Sequence, residues 1–401
     1  MLHHRRPKVL HILGSLVGGG VQRLILDMAA SEELGEYDHA VLPMLGAMGE
    51  LTGKFENGKI RICSCDLCIP RYRGWAPYRP TKLLRGLLKY TFLFRLRRLV
   101  QSCAPDLIHT HLSRYVDWQI SAVRHGRGCG WIWTVHGQYE PRGPELARWR
   151  RAVNLADKSL FRLVAVSKCV RSELENLNLG VPLEVIHSGV DLKKADGGHT
   201  SRSAARKRFG LPEDGAIFGS AGRLVPDKGF DIMVEAAAIV AARFPKAFFV
   251  VAGEGGEKDA LLRRVAASSL GSRFKFAGFC DDIMSFLGAL DAFVMPSRRE
   301  GLGIALLEAL AMGLPCVGSR VGGIEELLQD GLGILAEPTS PHSLAECMVK
   351  LLEGGYPVVG NDIIRGRLER YSLEQSLNAY RRLYRELLVA GASSSSSSNR
   401  R

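Results

Sequence analysis

The chain has 401 residues, 46% of them hydrophobic and 24% charged, with a formal net charge of +13. That length suits two domains with separate cores better than one. The composition excludes a disordered chain, and no apolar run approaches the roughly 18 to 20 residues of a membrane-spanning helix.

At the amino end, His3, His4, Arg5, Arg6 and Lys8 precede an apolar segment, Val9 to Val17, in the outline of a secretion signal. The segment is too short for that, carries His11 and runs into Gly18-Gly19-Gly20, so a buried strand over Lys8–Leu13, a glycine turn and a helix over Val21–Ala30 fit better. Short apolar strands follow at His39–Pro43, Leu107–Thr110, Trp131–Val135 and Leu163–Val166. A second series comprises Ala216–Ser220, Ala247–Ala252, Phe274–Ala277, Ala292–Met295 and Pro315–Gly318, separated by helices over Gly229–Arg243, Asp259–Ser268 and Ile304–Met312. Strands alternating with helices predict α/β domains with parallel sheets. Asp191 to Thr200, rich in Gly and charge, marks the boundary between two such domains, 1–188 and 189–365. An amphipathic helix with apolar Leu373, Leu377, Tyr380, Leu383 and Tyr384 occupies 366–390, and the serine run in 391–401 predicts a disordered tail.

The cysteines, nine in all, are odd in number and mostly scattered, which fits a reducing cytoplasm better than a disulfide framework. Cys63, Cys65 and Cys68 cluster, but no second pair at finger-like spacing follows, so reduced thiols are expected and not zinc. Charge is uneven: residues 1–190 hold 27 Lys and Arg against 16 Asp and Glu, nearly the whole excess. Within them, Leu67 to Pro105 contains no acid but nine cations from Arg71 to Arg98, interleaved with Trp75, Tyr78, Leu83, Leu84, Leu87, Leu88, Phe92, Leu93 and Phe94. Such a basic amphipathic stretch suits an anionic membrane surface better than nucleic acid; a solvated helix face would use the same residues.

The strongest chemical signal is Glu300-Gly301-Leu302-Gly303-Ile304-Ala305-Leu306-Leu307-Glu308, two carboxylates flanking a loop-to-helix junction. Glycines let a backbone approach a ligand, and the new helix turns free N–H groups toward an anion. Glu308, about one turn in, could reach hydroxyls such as those of a ribose, although a solvated helix with two unrelated acids is the plainer alternative. Gly222-Arg223-Leu224, Asp227-Lys228-Gly229, Gly253-Glu254-Gly255 and Gly278-Phe279 close neighbouring strands or open helices. Ligands in open α/β sheets bind beyond the carboxyl ends of the strands, so these fragments converge on one crevice, with Arg223 and Lys228 supplying positive charge for a diphosphate. Asp281-Asp282 reads as a cap for a helix starting at Ile283.

Taken together, these residues resemble glycosyltransferase family 4, whose E-x7-E signature stands here as Glu300 to Glu308. The resemblance covers nearly the whole chain. It implies the GT-B fold, two Rossmann-like domains facing each other across a cleft, with the first domain binding an acceptor, the second a nucleotide sugar, and the 366–390 helix crossing back to the first. It further implies that Arg223 and Lys228 contact the donor diphosphate beside Gly253, that Glu308 contacts the ribose, and that Glu300 contacts hydroxyls of the transferred sugar beside Gly301, Leu302, Gly303 and Ile304. Ile186 to Asp191 is similar to the family's interdomain motif, with Ser188 in place of its usual Asn. Gly18 and Gly19 lie in a loop similar to the family's glycine-rich first loop. A dinucleotide site would also follow a strand with glycines, but G-x-G-x-x-G spacing is missing and no acid follows the second strand.

His136 ends a strand in Thr134-Val135-His136-Gly137, and the resemblance places it beside the transferred sugar, where an imidazole, neutral or charged, can stabilise developing charge. His109 and His111 read as acceptor or structural contacts. No His, Asp or Glu cluster has metal-ligand spacing, so no cofactor or metal is expected. The resemblance implies a retaining transferase moving a hexose or N-acetylhexosamine, from UDP more readily than GDP, to a glycan or lipid-linked acceptor in polysaccharide or lipopolysaccharide synthesis; the cysteine pattern and the basic stretch add the expectation of a cytoplasmic, peripheral membrane enzyme. No first-domain acid presents itself as a nucleophile, so front-side attack assisted by the departing phosphate is favoured. A nucleotide-sugar epimerase of the same architecture and a GT-B-shaped binding subunit without turnover are the alternatives.

Overall fold

The computed structural model describes residues 5–44, 49, 51–63, 94–111, 129–138, 141–196, 201–355 and 361–398. The chain divides into two units, Met1–Val166 with Arg171–Ile186 and Leu377–Arg401, and Ser167–Val170 with His187–Ser376. The carboxyl-terminal helix is therefore shared: it starts at Leu373 in the second unit and belongs to the first from Leu377. It also continues through Ser398, where the serine run predicts a disordered tail.

In the first unit, strands β1 (Lys8–Leu13), β2 (Asp38–Pro43), β3 (Arg61–Ile62), β4 (Leu107–Thr110), β5 (Gly130–Val135), β6 (Phe161–Ala165) and β7 (Leu183–Val185) form a parallel sheet in the order β3-β2-β1-β4-β5-β6-β7. In the second, β8 (Ala216–Ala221), β9 (Ala247–Ala252), β10 (Phe274–Gly278), β11 (Ala292–Met295), β12 (Cys316–Ser319) and β13 (Ile334–Ala336) form another, ordered β10-β9-β8-β11-β12-β13. Both sheets are flanked by helices, and their central strands are largely buried, as parallel pairing demands, while the edge strands β3, β7 and β10 are half-buried or exposed at most positions.

Alternation along the strands gives the first sheet two unlike faces. On one, Trp131 and Trp133 stack 5.8 Å apart, and Trp133 meets Trp149 of the helix Pro144–Leu155 at 4.2 Å. The other carries His39, His11, His109 and Thr134, which register brings side by side: His11 pairs with His109, and Val9 with His39. The carboxyl-terminal helix covers this polar face. Tyr384 Oη lies 2.8 Å from His109 Nδ1, and Tyr380 Oη lies 3.2 Å from Thr134 Oγ1. Gly130 lets the helix close in, since a Cβ there would lie 2.8 Å from Leu387 Cβ.

The core beside the second sheet is apolar. Phe218 stacks on Phe249 at 5.8 Å, and the helix Phe230–Arg243 buries Met233, Ala236, Ala237 and Val240 in the same core. Asp282 caps the helix Ile283–Gly288 by accepting from the Ser285 N–H at 3.1 Å, as its sequence predicts.

Tyr384→Phe removes the hydroxyl facing His109 and leaves a buried imidazole nitrogen without its partner. The expected cost is about 1–3 kcal/mol, read as a lower urea midpoint with an unchanged m-value. An unchanged midpoint would mean that this contact does not fasten the helix.

Candidate functional site

The second sheet reverses its strand order at β8, between β9 and β11, and the loops after these strands meet at its carboxyl edge. Two of them are joined by backbone bonds: Gly222 N–H to Ala252 O at 2.9 Å and Leu224 N–H to Glu254 O at 2.9 Å. Gly253, at φ +150°, permits this, since a Cβ there would fall 1.9 Å from the Gly222 carbonyl oxygen. Arg223, between them, is exposed.

Across the switch point, Gly229 sits at φ +65° with its Cβ position 2.0 Å from the Pro296 carbonyl oxygen. Three further ties run between these segments. Arg298 N–H donates to Asp227 O at 2.8 Å, the Arg298 guanidinium grips both oxygens of Asp231 at 2.7 Å, and Lys228 Nζ donates to Glu300 Oε2 at 2.5 Å. Ser297 Oγ also donates to Glu300 Oε2, at 3.2 Å. Lys228 and Glu300, assigned by resemblance to different parts of a ligand, are thus direct neighbours. A diphosphate binding at Lys228 would share its ammonium with Glu300.

Gly301 and Leu302 are buried and lie against Gly323, whose N–H donates to Glu300 O at 3.1 Å. Gly303, at φ +96°, starts the helix Ile304–Ala311 without a side-chain cap. Its first N–H groups therefore point into the loop region where an anion is favoured. Leu306 to Leu310 are buried, Glu308 among them at 6% exposure, so the helix is not a solvated one.

In the first unit, Gly18 and Gly19 lie in the loop after β1, and Gly19 begins the helix Gly20–Ala30. Gln22 Nε2 braces that loop by donating to Ser15 O at 2.7 Å. His136 follows β5 and is partly buried; burial pulls its imidazole down to about 4, so it is neutral at pH 7. The charged form considered from the sequence is therefore disfavoured. Its Nε2 is 2.9 Å from His111 Nδ1. His111, His109 and His11 are buried and lowered well below the ordinary histidine value, first by burial and then by neighbouring imidazoles.

Tertiary structure assembles what spacing did not reveal. His11, His109 and His111 place ligand-type nitrogens within 4.8 Å of one another, a grouping of the kind that holds metals. All six of their ring nitrogens, however, already face a histidine, a threonine or a tyrosine at 3.1 Å or less. Cys63 meets Cys103, Sγ to Sγ 3.0 Å, and the hydrogen bond between them helps lower the Cys103 thiol to about 7. Cys65 and Cys68 fall outside the described residues.

Glu326 was also missed. It is buried and takes bonds from Lys168 N–H at 2.8 Å, His187 Nε2 at 3.0 Å and Tyr371 Oη at 3.3 Å. Burial raises its carboxyl, but these donors outweigh it and hold the group below the ordinary glutamate value. Of the basic stretch Arg71 to Arg98, only Arg95, Arg97 and Arg98 are described. They are exposed on a helix, 94–103, that buries Leu96 and Val100. No helix among the described residues is long and apolar enough to cross a membrane.

Two family descriptions match the chain: Glycosyltransferase Family 4 over residues 18–194 and Glycosyl transferases group 1 over 201–364. The chain belongs to glycosyltransferase family 4, the group 1 enzymes of GT-B fold. It is 29% identical over 61% of its length to the putative teichuronic acid biosynthesis glycosyltransferase TuaC of Bacillus subtilis, matching 61% of that protein. It is 33% identical over 40% of its length to the O-antigen biosynthesis glycosyltransferase WclY of Escherichia coli, matching 44% of it. The matches thus span less than two thirds of these relatives. Among solved structures, a glycosyltransferase of Rickettsia africae superposes with a TM-score of 0.74 at 18% identity, covering 96% of this chain and 99% of that one. Anabaena HepE in complex with UDP-glucose gives 0.72 at 22% identity, covering 93% and 98%.

The Arg298–Asp231 pair makes a pH prediction. The hydrogen bond from Arg298 is the main cause of an Asp231 pKa below the ordinary value, so the pair stabilises the fold above about pH 3.9 and loses that effect as pH falls through the depressed folded value. Asp231→Asn should lower the urea midpoint at pH 6, with the gap to wild type closing below pH 4. A gap constant down to pH 3 would show that this pair is not linked to folding.

Proposed function

We propose that this chain is a retaining glycosyltransferase. It moves a hexose or N-acetylhexosamine from a nucleotide-diphosphate sugar, UDP-linked more readily than GDP-linked, to a hydroxyl of a lipid-linked glycan in cell-surface polysaccharide or glycolipid synthesis. The observation that carries the reading is the grouping of Arg223, Lys228, Glu300, Glu308 and the Gly303–Ile304 helix start at one edge of one sheet. Cations and helix N–H groups suit a diphosphate without a metal, and the two carboxylates suit hydroxyls of ribose and sugar. The relatives' roles in teichuronic acid and O-antigen biosynthesis and the UDP-glucose held by Anabaena HepE support the same substrate class.

In the proposed step, the bond from the sugar's anomeric carbon to the diphosphate oxygen breaks as the acceptor oxygen attacks from the same face. The acceptor proton passes to the departing phosphate oxygen. Arg223 and Lys228 stabilise the leaving charge, Glu300 orients the sugar, and His136 serves the transferred sugar as a neutral imidazole. Positioning and electrostatics supply the acceleration.

Incubation with UDP-sugars and GDP-sugars in excess chelator tests this. The expected outcome is transfer to a glycan acceptor with the donor's anomeric configuration kept, as read by NMR of the product. Glu308→Ala should raise donor KM about tenfold or more, from the loss of hydrogen bonds to a charged acceptor. An epimerised free sugar as product, or strict dependence on added metal, would reject the reading.

Docking to the cytoplasmic face of a membrane through Arg71 to Arg98 is the second part of the proposal, supported by the outward-facing Arg95, Arg97 and Arg98. Each basic residue near an anionic surface contributes about 1 kcal/mol. Wild-type protein should float with anionic vesicles at low salt and be released at high salt, while replacing these three arginines by Glu should abolish flotation and leave donor binding intact. Wild type that stays unbound at low salt would refute membrane docking.

A further inference from the structure

Four imidazoles form an unbroken hydrogen-bonded row on the covered face of the first sheet. His39 Nε2 lies 3.2 Å from the Leu34 carbonyl oxygen, and His39 Nδ1 lies 2.9 Å from His11 Nε2. His11 Nδ1 lies 3.1 Å from His111 Nε2, and His111 Nδ1 lies 2.9 Å from His136 Nε2. Each link joins the Nδ1 of one ring to the Nε2 of the next. The row runs from the loop before β2 to the carboxyl edge of the sheet, where His136 stands.

A carbonyl oxygen can only accept, so His39 must carry its proton on Nε2, and its Nδ1 is then an acceptor. Since a neutral imidazole has one N–H, the choice propagates: His11, His111 and His136 each donate from Nε2 and accept at Nδ1. Reversing any one ring sets two N–H groups or two lone pairs face to face in a buried place. The rings stay neutral because charging any of them would put an ion into this interior. His109, which touches the row at 4.1 Å from His111, imposes no such order. Its partners are the hydroxyls of Tyr384 and Thr134, which either donate or accept.

We propose that the Leu34 carbonyl, acting through His39, His11 and His111, sets the tautomer of His136, so that His136 presents an unprotonated Nδ1 as a hydrogen-bond acceptor. Among the described residues Nδ1 of His136 has no partner. His39, His11 and His111 are positioning residues, and His136 is fitted to accept a proton in a hydrogen bond from a substrate hydroxyl, not to donate one to a departing phosphate. The hydroxyl as ligand rests on the transferase reading; the tautomer does not.

Long-range proton–nitrogen correlation spectra of the full chain, labelled with nitrogen-15 histidine and assigned with His136→Gln, test the tautomer directly. The expected result at pH 7 is a protonated-type Nε2 and an unprotonated-type Nδ1 for His136. In His39→Phe, which removes the link to Leu34, the two nitrogens of His136 should move toward a common averaged position. His39→Gln, whose amide can donate to Leu34 and accept from His11, should restore the wild-type pattern. A wild-type His136 protonated on Nδ1 or on both nitrogens would overturn the proposal, as would a His39→Phe spectrum identical to wild type. If His39→Phe does not fold, the wild-type and His39→Gln spectra still decide, because a His136 protonated on Nδ1 in either contradicts the row. Absence of sugar transfer would count against the transferase reading alone and leave the tautomer result standing.

Discussion

At the carboxyl edge of the second sheet, backbone is packed directly on backbone. The Gly229 Cβ position lies 2.0 Å from the Pro296 carbonyl oxygen, that of Gly253 lies 1.9 Å from the Gly222 carbonyl oxygen, and that of Gly323 lies 2.3 Å from Leu302 Cα. Any side chain at these places would wedge the loops apart. With the loops held this close, Lys228 reaches Glu300, Arg298 reaches Asp231, and the helix start at Ile304 opens beside them. The charged groups of the site are ordered by glycine contacts that carry no charge themselves.

The first sheet solves a different problem. Its covered face contains imidazoles and hydroxyls where a parallel sheet ordinarily carries aliphatic side chains. Removing such groups from water is costly unless each finds a partner, and here they find one another. His39, His11, His111 and His136 form one row, and His109 closes a second group with Thr134, Tyr380 and Tyr384. This second group also gives the carboxyl-terminal helix a polar attachment beside its apolar one. Helix packing and the chemical state of His136 therefore share a face.

Glu326 applies the same rule in the second unit. One buried carboxylate receives the Lys168 N–H, the His187 ring and the Tyr371 hydroxyl, and so joins three segments distant in sequence. Nearby, Val190 and Leu373 exchange backbone bonds at 2.8–3.0 Å, and Gly189 leaves room for Ser372 and Leu373 to come that close. The segment Ile186 to Asp191, noticed in the sequence for its likeness to an interdomain motif, is held by residues that no local pattern connects to it.

Much of this was legible in the linear chain. Apolar runs of strand length, amphipathic helices between them and glycines at their junctions identified β1, β4, β9 and β11 at their observed limits, because local periodicity and turn chemistry act over a few residues. The short β3, β7 and β13 were missed for the same reason: two or three residues carry no period. Arg223, Lys228 and His136 stood out because each sits near a strand end or a helix start, and Glu300 and Glu308 because they flank a loop-to-helix junction. What only the tertiary structure decided was pairing. That Lys228 meets Glu300, that Cys63 faces Cys103, and that His11, His39, His111 and His136 stand in one row depend on strand order. Strand order is settled by packing across the whole sheet, so no single segment contains it.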